Sequence, residues 1–179
     1  MQYARPAGEI EELDKDFTMD ELRQALRKAK DNKAPGHDRI PMEFFKNASE
    51  GFMRRLLKLF IRFLRTEEVP ESFSRAIIFP IYKKGDANSA ANYRGIAFMD
   101  AVYKLFTAML QARLMKWVEK NEVLREWQAG FRRGYSTVDN VFNLHSIAHI
   151  QFKQHKKLYM FYVDFHSAFD CVSRQALWY

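Results

Sequence analysis

The chain has 179 residues, 47% apolar and 15% aromatic, enough to bury one sizeable core and to exclude disorder over most of its length. Its 29 Lys and Arg against 22 Asp and Glu leave a net charge of +7, which suits a polyanionic partner and equally suits plain solubility. The single cysteine, Cys171, excludes an internal disulfide and a cysteine-based zinc site and favours a reducing compartment.

In chain order, residues 1–16 mix Gly, Pro and acidic residues without periodicity and read as a loose arm. Thr18 and Glu21 have capping-box spacing, and Met19, Leu22, Leu26 and Ala29 follow at helical intervals until Asn32 and Pro35 end the run. Pro41 opens a brief helical piece. A longer helix is predicted over 49–66, with Phe52, Leu56, Leu59, Phe60 and Phe63 on one face and Arg54, Lys58, Arg62 and Arg65 on the other. That basic stripe is either a solvated face or a phosphate-tracking surface. Lys58 and Arg62 also interrupt the longest apolar stretch, and the N-terminus MQYARPAGEIEELD has no apolar core, so neither a membrane span nor a secretory leader is expected.

Pro70 is taken to close that helix. SRAIIFPIYKK, residues 74–84, then reads as a strand with Pro80 toward an edge, and GDANSAANYRGIAF supplies a polar loop and a second strand. The result is a hairpin with a long, mobile tip, covered by neighbouring helices because two strands alone are marginal. Val102, Leu105, Phe106, Met109, Leu110, Trp117 and Val118 set a helix from Asp100 to about Glu119. After the glycine-broken QAGFRRGYST, Thr137 or Ser136 caps a last long helix reaching about Gln154, with Val141, Leu144, His145, Ala148 and Phe152 toward the core. KLYMFYVDF, residues 157–165, reads as a buried strand running into Asp164.

A carboxylate just past an apolar strand suits a divalent cation held against a phosphate, although strands also end in Asp simply because the chain turns. Asp170 reads as a cap or brace for a helix near Ser173 rather than a ligand. His145 and His149 lie one helical turn apart but lack the intervening glutamate and third ligand of a zinc site, and no GxxxxGK[ST] loop occurs.

Six blocks stand in order: NKAPGHD (32–38), IIFPIYKKGD (77–86), NYRGI (92–96), KLFTAMLQARL (104–114), QAGFRRGYSTVDN (128–140) and YMFYVDFHSAFDCV (159–172). Together they resemble the amino-terminal blocks of a LINE-type (non-long-terminal-repeat) retrotransposon reverse transcriptase. The resemblance implies an α+β fold, with a helix-rich fingers region and β-hairpin over 17–156 after an arm at 1–16. Residues 157–179 would begin a truncated palm with its first strand and helix.

It implies that Asp164, with the Phe165 carbonyl, is a magnesium ligand and the first catalytic aspartate, and that Phe169 is the steric gate against a ribose 2′-hydroxyl. Lys83 or Lys84, with Arg94, would clamp the incoming triphosphate. Gln128, Gly130, Arg132, Arg133, Gly134, Tyr135, Ser136 and Thr137 would rest on the template strand. The partners implied are an RNA template, a DNA primer and deoxynucleoside triphosphates, in the nucleus or cytoplasm.

Two residues depart from the family pattern: Arg39 stands where glycine is usual, and Ser167 where lysine is frequent. The paired aspartates of the later palm block do not occur among the 179 residues. The expectation is therefore a partial RNA-directed DNA polymerase domain, inactive by itself, or alternatively a non-catalytic nucleic-acid-binding remnant of a retroelement.

Overall fold

The structure, a computed structural model, describes residues 11–165, 168–169 and 171–177. His166, Ser167 and Asp170 lie outside it, and with them the departure expected at Ser167 and the capping role expected of Asp170. Its elements are α1 (Glu11–Asp14), α2 (Met19–Lys28), α3 (Met42–Lys46), α4 (Glu50–Thr66), β1 (Ile77–Tyr82), β2 (Tyr93–Phe98), α5 (Ala101–Lys120), α6 (Thr137–Lys153) and α7 (Arg174–Leu177). The fold is mixed α+β. The chain forms two compact units, Met1–Leu124 and Arg125–Tyr179, and the break falls inside the 17–156 span expected for the fingers.

The first unit owes its core to amphipathic helices. α2 starts where the sequence says it should: the Thr18 hydroxyl accepts the Glu21 amide at 3.3 Å while the Glu21 carboxylate accepts the Thr18 amide at 2.7 Å, a complete capping box. Leu22, Ala25 and Leu26 of α2, Met53, Leu56, Phe60 and Phe63 of α4, and Leu105, Phe106 and Met109 of α5 are buried together. Phe106 is the hinge of the packing, with its ring 5.5 Å from Phe60, 5.7 Å from Phe63 and 6.0 Å from Phe17.

α4 corrects two expectations. Phe52 and Leu59 are exposed, and Met53 takes the core position, so the buried stripe is rotated from the one marked by the aromatics. The helix ends at Thr66, as its period set, but Glu67 rather than Pro70 closes it: Glu67 adopts a left-handed backbone (φ 58°) and its amide bonds the Phe63 carbonyl.

Arg113 of α5 ties down the chain entering α2. Its guanidinium pairs with Glu21 at 2.5 and 2.9 Å, donates to the backbone carbonyls of Leu13, Lys15 and Asp16, and lies 4.3 Å over the Phe17 ring. Arg65 with Asp16, and Lys120 with Glu12, add exposed ion pairs to the same strap.

In the second unit the predicted helix is present as α6, capped by Ser136 rather than Thr137. Its expected core face is not covered. Val141 and Phe152 are 66% and 79% exposed, His145 is exposed too, and only Leu144 and Ala148 are half-buried. The expected buried strand at 157–165 takes no regular secondary structure, and Phe161 is 92% exposed. Apolar strand residues are buried only when a ladder partner and a covering layer exist. Among the described residues no third strand is available to this segment.

Candidate nucleotide and template interface

The hairpin forms because β1 (IIFPIY) is dense in β-branched and aromatic residues, β2 (YRGIAF) adds Tyr93, Ile96 and Phe98, and a polar loop joins them. The antiparallel register pairs Ile77 with Phe98, Ile81 with Arg94 and Tyr82 with Tyr93. Pro80, opposite Gly95, is tolerated because β1 is itself an edge strand.

The loop between the strands is held by its own groups. The Lys83 amide bonds the Asn92 carbonyl at 2.9 Å, Asn92 Nδ2 donates to the Asp86 carbonyl at 2.8 Å, and the Tyr93 hydroxyl donates to the Ala87 carbonyl at 2.9 Å. Gly85 makes the turn at φ +97°, a conformation that side-chain-bearing residues rarely adopt. Every residue of β1 is exposed, Ile78 to 61%, contrary to the expected helical cover.

Side chains alternate along a strand, so Ile81, its partner Arg94, and Lys83 one step beyond the ladder share a face. Lys84 already belongs to the loop. The register thus separates two lysines that sequence alone left equivalent, and Lys83 stands with Arg94.

The base of the hairpin is pinned by the NKAPGHD loop. Gly36 is buried against Asp100, the residue leading into α5, and a Cβ built at Gly36 would lie 2.3 Å from Asp100 Oδ1 and 2.4 Å from its backbone nitrogen. Asp100 is itself buried and accepts the Asp38 amide at 3.2 Å. Arg39, where the resemblance led to glycine, has φ 58°, so this backbone keeps the glycine-favouring conformation without the glycine. The close approach of Gly36 to Asp100 joins segments far apart along the chain and leaves no mark within the NKAPGHD block itself.

In the second unit, the turn before α6 is arranged by its polar residues. The Ser136 hydroxyl accepts the Asp139 amide at 3.2 Å, while Asp139 accepts from the Ser136 amide at 3.1 Å and from its hydroxyl at 3.0 Å. That hydroxyl is therefore committed to the helix cap. Arg132 stacks 4.3 Å over the Tyr135 ring and donates to the Arg125 carbonyl at 3.0 Å. Gly134 has φ +85° and open space where a Cβ would be, and a Cβ at Gly130 would meet Gln128 Nε2 at an ordinary 3.7 Å. Gln128, Arg133 and Thr137 are exposed.

Phe131 and Phe169 meet edge to face at 6.1 Å, so the glycine-rich turn touches the candidate gate. Phe131 lay in the quoted block without being singled out, and its positive φ of 62° was not foreseen. Asp164 and Phe165 are exposed, and among the described residues Asp164 has no ion pair or hydrogen bond.

The described residues do not fit a closed metal site: they hold no group of three or more His, Cys, Asp or Glu able to grip an ion. His145 and His149 stack at 6.2 Å as exposed rings.

Residues 81–179, more than half the chain, match the family described as reverse transcriptase (RNA-dependent DNA polymerase), and the chain belongs to that family. It is 32% identical over 171 residues to the "Transposon TX1 uncharacterized 149 kDa protein" of Xenopus laevis, covering 93% of this chain and 13% of that protein. It is 23% identical over 179 residues to the "RNA-directed DNA polymerase from mobile element jockey" of Drosophila funebris, covering 99% of this chain and 19% of that protein. The chain thus carries part of a reverse transcriptase domain and spans less than a fifth of either relative. The family works with a divalent metal. Among the described residues no helix is long and apolar enough to cross a membrane.

Proposed function

We propose that this chain supplies the fingers and the opening of the palm, 17–156 and 157–179, to an RNA-directed DNA polymerase of the LINE type. In this reading Lys83 and Arg94 draw the triphosphate of an incoming deoxynucleotide toward the hairpin, adding positive charge where the transferring phosphoryl group becomes more negative. Phe169 stands against a ribose 2′-hydroxyl. Arg132, Arg133 and the backbone at Gly130 and Gly134 meet the sugar–phosphate backbone of the RNA template, contacts that position without reading sequence. Asp164, exposed and unpaired among the described residues, is the carboxylate left available for magnesium, and that exposure is the observation that carries the reading.

One carboxylate with a backbone carbonyl does not hold two ions, so the chain by itself binds and does not polymerise. The test is extension of a DNA primer on an RNA template by the purified chain with magnesium and deoxynucleotides. No extension is expected, with measurable template binding. Magnesium-dependent extension would refute the half-built site, and no binding to primed template at low salt would refute the assignment.

A further inference from the structure

α4 carries five basic residues against one acidic residue, Glu50, in its first turn. At 100° per residue, Arg54, Arg55, Lys58, Arg62 and Arg65 fall within an arc of about 100°. That arc lies opposite the buried Met53, Leu56, Phe60 and Phe63, and all five basic residues are exposed. Two are answered by acids: Arg54 lies 3.7 Å from Glu50, and Arg65 lies 2.6 Å from Asp16. Arg55, Lys58 and Arg62 have no acidic partner among the described residues.

Those three stand at spacings of three and four residues, so they line one face over about 10 Å of helix. Like charges at such spacings cost about 0.2–0.5 kcal/mol per pair, and a face evolved only for solvation mixes the signs. A face that keeps its repulsion uncompensated is matched to an anion brought from outside. The apolar side of α4 is spent in the core, so the helix has no second face to insert into a lipid surface.

We propose that the outer face of α4 is a nucleic-acid docking surface, on which Arg55, Lys58 and Arg62 follow the phosphates of one strand without reading bases. It uses none of the residues proposed above for the nucleotide or the template, and it rests on the reading that the chain binds nucleic acid.

Each neutralised phosphate releases condensed counterions, giving a slope of about −0.9 in log K against log salt for a duplex and −0.7 for a single strand. The experiment measures binding of the full chain to a labelled RNA–DNA primed template by anisotropy from low to moderate salt. It compares the unmodified chain with Arg55→Ala/Lys58→Ala/Arg62→Ala and with a charge-matched control, Arg27→Ala/Lys28→Ala/Lys30→Ala. The α4 variant is expected to flatten the slope by about 2 to 3 units and to weaken binding more than tenfold at low salt, with the control changing by less than one unit. A second α4 variant with Gln at the three positions, and thermal unfolding of each protein, guard against a folding defect. Removing like-charge pairs from an exposed face should leave stability equal or higher.

An unchanged slope in the α4 variants, or an equal loss in the control, overturns the surface while leaving the proposed function standing. Failure of the unmodified chain to bind overturns both. Competition by anionic phospholipid vesicles that matches competition by RNA overturns the choice of partner.

Discussion

Arg113→Met tests how the entrance to α2 is held. The Arg113 side chain is 9% exposed and that of its partner Glu21 is 27% exposed, so little water reaches the pair. Methionine keeps the apolar length that packs on Phe17 and removes every donor. Glu21 then loses both guanidinium bonds, and the carbonyls of Leu13, Lys15 and Asp16 lose theirs.

Breaking a buried pair from one side costs about 3–5 kcal/mol, and Glu21 retains its Thr18 bonds and some water, so the expected loss is about 3 kcal/mol. At a slope of about 2 kcal/mol per molar urea, the midpoint by far-UV circular dichroism falls by about 1.5 M. Glu21→Gln preserves a capping acceptor and should cost less, and the double variant should show a coupling of about 1–2 kcal/mol. A loss below about 0.5 kcal/mol for Arg113→Met, or additive single variants, would refute the view that this pair clasps the strap.

Acid should weaken the same clasp. Burial pushes the Glu21 carboxyl upward from its ordinary value of 4.5, but hydrogen bonds from Arg113 and Thr18 outweigh it and hold it lower. The unfolded chain therefore binds the proton first, and the contribution is complete above about pH 4.5 and lost as pH falls through the depressed folded value. In urea titrations the gap between the unmodified chain and Arg113→Met should narrow with acid, and a gap that widens would contradict the sign. Gly36→Ala should destabilise by about 2–4 kcal/mol, because the built Cβ collides with the backbone nitrogen and Cα of Asp100 as well as with its Oδ1, and the backbone atoms cannot rotate away. Thermal unfolding checks it, and a change under about 0.5 kcal/mol would show that the loop is not pinned there. Arg39→Gly should stabilise by about 0.5–1 kcal/mol, since the φ of 58° already suits glycine, and a loss on chemical denaturation would mean that the Arg39 side chain contributes more than the backbone strain costs.

Helices were legible wherever caps and periodicity agreed. The Thr18 and Glu21 spacing marked the start of α2 within the sequence, and α5 spans almost the range its apolar period set. α4 was legible in extent but not in rotation, because an aromatic such as Phe52 looks like a core residue until its neighbours show whether the face is covered. The hairpin's strands were visible in composition, whereas its register, which puts Lys83 rather than Lys84 with Arg94, came only from pairing. Of the candidate site, the blocks supplied the candidate residues, and the contact between Phe131 and Phe169 came only from the structure.

The sequence by itself determined the family, the helical first unit and the basic face of α4, since motif order, capping and periodicity are local properties of the chain. Only the tertiary structure decided that Gly36 abuts Asp100, that Arg113 gathers the strap, and that α6 and residues 157–165 leave their apolar side chains uncovered. Burial and close approach depend on segments distant along the chain, and no pattern within one segment carries the position of another.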